Sequence, residues 1–148
     1  MHASDYENSN SKMVLTTQGR LVGEDQRRSI RITVTESSRT VEQLNGYENT
    51  VANSESFTNT PDAYRYFLAA LDKAEFTKAR RTNTPDPVGT CALGNVYIYE
   101  IQDGSSEVMN HWSSTCGPGS FGGNGSLTRT LFQNQITGYT TFASKITL

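Results

Sequence analysis

With 148 residues, a formal net charge of −2 and only 34 % hydrophobic residues, the chain is long enough for one domain but poor in core-forming side chains. The charge balance excludes the basic footprint of a nucleic-acid-binding domain, and no apolar run approaches the ~20 residues of a membrane-spanning helix. Two cysteines and two histidines are too few and too scattered for a tetrahedral zinc site, so neither a metal nor another cofactor is expected.

Residues 1–27 are polar and lack sustained periodicity. Met13-Val14-Leu15 and Leu21-Val22 are short apolar islands. The prediction is a disordered N-terminal tail or spacer, with a short added strand at 13–17 as the alternative. Residues 28–148 are expected to form one α+β domain. Ile30, Ile32 and Val34 alternate with Arg31, Thr33 and Thr35, the mark of a half-buried strand. Val41 and Leu44 lie on a second strand, Asn45-Gly46 marks a hairpin turn, and residues 47–57 can add a third.

Thr60-Pro61-Asp62 opens a helix with an N-cap, a first-position proline and a carboxylate at the positive helix end. Tyr64, Phe67, Leu68 and Leu71 give it one apolar stripe, and it should end near Ala74. Residues 77–90 form a connector in which Pro85 and Pro87 exclude a helix interior. A hairpin follows around Asp103-Gly104, then a glycine-rich stretch at 117–125. Ser126 caps a second helix carrying Leu127, Leu131, Phe132 and Ile136, which Gly138 ends. The tail from Phe142 is read as a last strand or packed coil. The order ββ(β)αββα describes antiparallel hairpins, or a meander, with two helices on one face.

Counting rungs outward from a two-residue Asp103-Gly104 turn brings Cys91 opposite Cys116 on a non-hydrogen-bonded rung. The Cα spacing there, about 4.5 Å, lies within the reach of a disulfide. The same register puts Trp112 on the core face with Tyr97, Tyr99 and Ile101, Ile98 opposite Met109, and Glu100 opposite Glu107. A disulfide implies an oxidising compartment. The sequence start, Met1-His2-Ala3-Ser4-Asp5-Tyr6, has neither the basic nor the apolar region of a leader. An extracytoplasmic location (secreted, periplasmic or surface-tethered) therefore requires that a native leader or anchor is missing ahead of Met1. The alternative is a reduced cytosolic protein.

No catalytic constellation stands out. His2 lies in the tail and His111 on a strand, no Gly-x-Ser-x-Gly elbow is present, and the cysteines are assigned to each other. Glu100 and Glu107 are the nearest approach to a hydrolase pair, and are read as solvated. The glycine stretch lacks a phosphate-binding signature and is read as a flexible crossover. Within it, Phe121 is either a loop anchor or an exposed contact. The remaining expectation is a non-enzymatic binding or interaction domain, monomeric, with a protein partner. Its contact surface would be the loops at 78–88 and 117–125, through Lys78, Arg80, Arg81, Phe121 and Asn124. A carboxylate-based hydrolase and a structural piece of a surface assembly are the competing classes.

The layout from Ile30 resembles emfourin-type bacterial proteinase inhibitors. The matching pieces are the strand at 30–34, the Asn45-Gly46-Tyr47 turn, the helix at 63–74 running to Phe76, the hairpin at 97–104 and the short closing helix. The likeness spans about residues 30–136 as a pattern rather than a motif. The cysteine pair and the glycine stretch depart from it. The resemblance implies the fold and, beyond it, proteinase inhibition; no binding residue carries over.

Overall fold

The structure, a computed structural model, describes residues 1–80 and 91–148. Its strands are β1 (Ser11–Gln18), β2 (Arg28–Val34), β3 (Ser38–Asn45), β4 (Thr50–Thr58), β5 (Val96–Asp103), β6 (Ser106–Ser114) and β7 (Gly117–Pro118). They form one antiparallel sheet in the order β4-β3-β2-β1-β5-β6-β7. Helices α1 (Pro61–Lys73), α2 (Gly125–Gln133) and α3 (Tyr139–Ser144) complete an α+β architecture.

The predicted N-terminal tail is overturned for its most important part. Ser11–Gln18 is the central strand, paired with β2 along one side and β5 along the other. Met13 and Leu15 are buried in the main core. Only three apolar residues in eight advertise this strand, and ladder partners on both sides hold it in addition to the burial of those three. Ahead of it, a 3₁₀ turn at Ala3–Tyr6 docks on α1, where the Ala3 amide donates to Asp72 Oδ1 at 2.7 Å.

Helix α1 follows its sequence signals. Thr60 Oγ1 accepts from the Ala63 amide at 3.1 Å, Pro61 begins the helix, and Tyr64, Phe67, Leu68 and Leu71 are buried. Phe132 from α2 meets Phe67 edge-on at 5.2 Å between ring centroids, and Phe76 at 5.7 Å. The cap of α2 is Asn124 rather than Ser126, because Asn124 Oδ1 accepts from the Leu127 amide at 3.0 Å. The segment predicted as a last strand or packed coil begins inside α3, and only its end, with Ile146 and Leu148 against the core, is packed coil. Gly138, at φ +74°, turns the chain into α3, and Phe142 buries its ring.

The second hairpin corrects the predicted register. Its ladder closes at Asp103 opposite Ser106, so the turn residues are Gly104 and Ser105, and an irregularity between Ile101 and Gln102 shifts it again. Ile98 consequently faces Trp112, not Met109, and Ile101 faces Met109. A displacement of three residues is odd, so it exchanges the two faces of β6. Met109 joins the main core, whereas Trp112 packs with Cys91 and Val96 in a separate small cluster.

The disulfide between Cys91 and Cys116 is present, with 5.7 Å between Cα atoms. It does not occupy a ladder rung as predicted. Cys91 lies in a turn before β5, and Cys116 lies in the turn that joins β6 to β7. The ladder has already ended at Val96 opposite Ser114. The bond thus ties two turns at the end of the hairpin.

Candidate functional site

Where the loops expected to meet a partner are described, residues 78–80 meet residues 120–122. Ala79 forms a β-bridge with Phe121. The Arg80 amide donates to the Ser120 carbonyl at 2.8 Å, and the Gly122 amide to the Lys78 carbonyl at 2.7 Å. Phe121 is 3 % exposed and stacks on Tyr99 at 3.9 Å, so it is an anchor and the exposed-contact alternative falls. Asn124 is exposed but spends its side chain on the α2 cap. Lys78 is exposed and pairs with Glu75 at 3.1 Å. Arg80 Nη1 donates to the Gly119 carbonyl at 3.4 Å. Arg81 and the rest of the 78–88 loop lie outside the described residues.

Nor is the glycine stretch a flexible crossover. A Cβ on Gly119 would enter the Trp112 ring, and one on Gly123 would collide with the Glu75 carbonyl. These glycines allow close backbone approach. The Phe121 amide also donates to the Trp112 carbonyl at 3.0 Å, so the segment is sewn onto β6.

The concave feature with converging polar groups lies elsewhere, on the side of the sheet away from the main core. A groove of about 650 Å³ crosses β3, β2, β1 and β5. Strand alternation supplies its walls. From β1 come Lys12, Val14, Thr16 and Gln18; from β2, Arg31 and Thr33, with Thr35 just beyond its end; from β3, Thr40, Glu42 and Leu44; and from β5, Ile98, Glu100 and Gln102. Val14 and Leu44 form a buried apolar floor. Arg31 Nε and Glu42 Oε1 are 2.9 Å apart on directly opposed rungs. Among the described residues, no aromatic side chain lines the groove.

Glu100 is the groove residue with perturbed chemistry. The corrected register puts it opposite Asn110, and Glu107 opposite Gln102, so the two carboxyls are not directly opposed as expected. They still interact. Burial, a hydrogen bond to Glu107 and repulsion by its charge push the Glu100 carboxyl up to about 7, against weaker help from Gln102 and Arg31. Glu107 is exposed and accepts from Asn110 Nδ2 at 2.7 Å. Glu100 is therefore a proton-binding group near neutrality at the groove wall rather than an ordinary solvated carboxylate.

Two other groups, Tyr64 and His111, are shifted chiefly by burial. Tyr64, whose hydroxyl is 2.6 Å from Ser11 Oγ, is pushed up to about 12 by burial. His111 is held below its usual value by burial, against backbone hydrogen bonds with Thr77 and Asn110. Among the described residues no group of three or more His, Cys, Asp or Glu is placed to hold a metal ion. No described helix is long and apolar enough to cross a membrane.

The groove escaped sequence reasoning because its residues come from four strands, one of them taken for a tail. The alternating Arg31, Thr33 and Thr35 were its one local signal. Comparison with protein-family models finds no match, and neither does comparison with curated proteins.

Proposed function

We propose that this is an extracytoplasmic, non-enzymatic binding domain that receives a polar segment of a protein partner in the concave sheet groove. One observation carries the reading: about 650 Å³ of concave surface lined by hydroxyl, amide and charged side chains from four strands. Threonine hydroxyls and glutamine amides suit the hydrogen-bonding groups of a polypeptide. The Arg31–Glu42 pair and Lys12 offer charge of both signs. The disulfide supports the extracytoplasmic part, since such bonds persist in oxidising compartments.

A photo-crosslinking residue placed at Thr33, in the groove, should capture a defined partner; the same residue at Tyr66, exposed on α1, should not. Bacterial endoproteinases are the first partners to try, given the resemblance to their inhibitors. With the purified partner, Thr33→Trp should fill the groove and weaken binding by at least about tenfold, roughly 1.4 kcal/mol, without lowering the melting temperature. Equal capture from both positions, or unchanged affinity in Thr33→Trp, would remove the groove from the reading.

The hydrolase reading has one observation in its favour, a Glu100 carboxyl near 7 within a concavity. It requires turnover that Glu100→Gln abolishes while binding survives. That result would displace the binding reading.

A further inference from the structure

We propose that the cleft between the 19–27 loop and the C-terminal segment binds a small amphipathic carboxylate. This site shares no residue with the sheet groove and does not depend on the reading above. The cleft has a volume of about 510 Å³, within the ~300–1,000 Å³ of small-molecule sites. Arg20, Arg28 and Lys145 supply three cations to its lining, against the side-chain carboxylate of Asp25 and the terminal carboxylate of Leu148. Among the described residues, none of the three cations has an ion-pair partner. They converge although the chain as a whole carries a net −2.

The scaffold behind the cleft is built rather than loose. Arg28 Nη1 donates to the Arg27 carbonyl at 2.9 Å. Arg27 is itself 6 % exposed, donates to the Gly19 carbonyl at 2.7 Å and lies over the Tyr47 ring at 4.9 Å. Its Nε has no partner among the described residues, so a further positive charge sits next to Arg28 in the chain. On the same loop, Glu24 is engaged by the Tyr47 amide at 3.1 Å. Gly19 seats the C-terminal segment closely, since a Cβ there would lie 3.2 Å from the Leu148 main chain.

Ligand class follows from the two kinds of lining. Guanidinium groups present planar paired donors that match a carboxylate. Val22, Ile146 and Leu148 add apolar surface that an inorganic anion would leave wet. An organic acid with a short alkyl chain uses both.

Methyl NMR of the full chain at low ionic strength, following Val22, Ile146 and Leu148, tests this with hexanoate, hexanol and inorganic phosphate as probes. Hexanoate should give saturable shifts, and neither hexanol nor phosphate should match its affinity. Arg20→Gln with Lys145→Gln changes two exposed side chains and should weaken hexanoate by about tenfold or more, with an unchanged melting temperature. The proposal is overturned if hexanoate causes no saturable shift in the wild-type protein. Unchanged hexanoate affinity in the folded double variant, or phosphate binding as tightly as hexanoate, overturns it equally.

Discussion

The two edges of the sheet are built on opposite plans. At one edge, β6 is followed by the two-residue β7, crossed by the Ala79–Phe121 bridge and tied by the Cys91–Cys116 bond. At the other, β4 is nine residues long, and all of them are exposed except the half-buried Phe57. Unpaired strand edges invite pairing with other chains, and proteins blunt them with coverage, charge or bulges. The β6 edge is covered at its Trp112–Ser114 end. The β4 edge has one charged residue, Glu55, and a register shift opposite Gln43/Leu44. Long-range ties thus make one edge part of the core, while the other depends on solubility.

The largest expected contrast comes from a matched pair of phenylalanine truncations. Phe121→Ala removes a buried ring stacked on Tyr99 and should cost about 3–5 kcal/mol. Phe57→Ala, half-buried on the open edge and packed only in part against the core, should cost less, about 1–2 kcal/mol. Denaturant unfolding of both variants measures the difference, and comparable losses would erase the distinction between edges.

Next comes the staple. Replacing Cys91 and Cys116 together by serine should destabilise by roughly 3 kcal/mol, the scale expected for a loop of this length. Thiol titration of the unfolded, unreduced wild-type protein should find no reactive thiol. Two reactive thiols would remove the staple from the covered edge and its support for an oxidising compartment.

A smaller effect is expected at Glu100, on the covered-edge half of the groove. Its folded value, about 7, lies above the ordinary 4.5, so the native state binds the proton more tightly than the unfolded chain. Its contribution to stability is intact below about pH 4.5 and falls as pH rises through about 7. Because the side chain is half-buried, the loss by pH 8 should be on the order of 1 kcal/mol rather than the full value implied by the shift. Glu100→Gln should flatten that slope in melting curves taken from pH 4 to 8. An unchanged slope would mean that the carboxyl is not held protonated.

The smallest change in fold stability is expected at Glu55. Glu55→Val on the exposed edge should move the unfolding free energy by no more than about 0.5 kcal/mol. It should nevertheless promote self-association, seen by sedimentation, because it removes the strand's only charge. Continued monodispersity would show that the register shift alone protects this edge.

Much of the fold was legible wherever a local signal and its tertiary use coincide. Thr60, Pro61 and the Tyr64–Phe67–Leu68–Leu71 stripe specify α1 without outside help, because helix bonds and caps are local. Ile30, Ile32 and Val34 likewise mark the core side of β2. The cysteine pair was found through a register that was three residues wrong. Both residues lie beyond the ladder, in turns, and a turn brings them together as well as a rung would. The candidate site was less accessible. Phe121 looks like a free loop residue in sequence, yet it is buried, while Lys78 and Arg80 stay exposed on a main chain bonded to 120–122.

The sequence by itself determined the α+β class, the caps and apolar face of α1, and the identity of the disulfide partners, because each rests on short-range pattern or on having only two cysteines. Only the tertiary structure decided that Ser11–Gln18 is the central strand, that Trp112 leaves the main core, and that Glu100 faces a groove. Those outcomes depend on strand register and on neighbours far away in the chain. A side-chain period of two reverses meaning with every odd slip, so the choice of face belongs to the assembled sheet and not to any one strand.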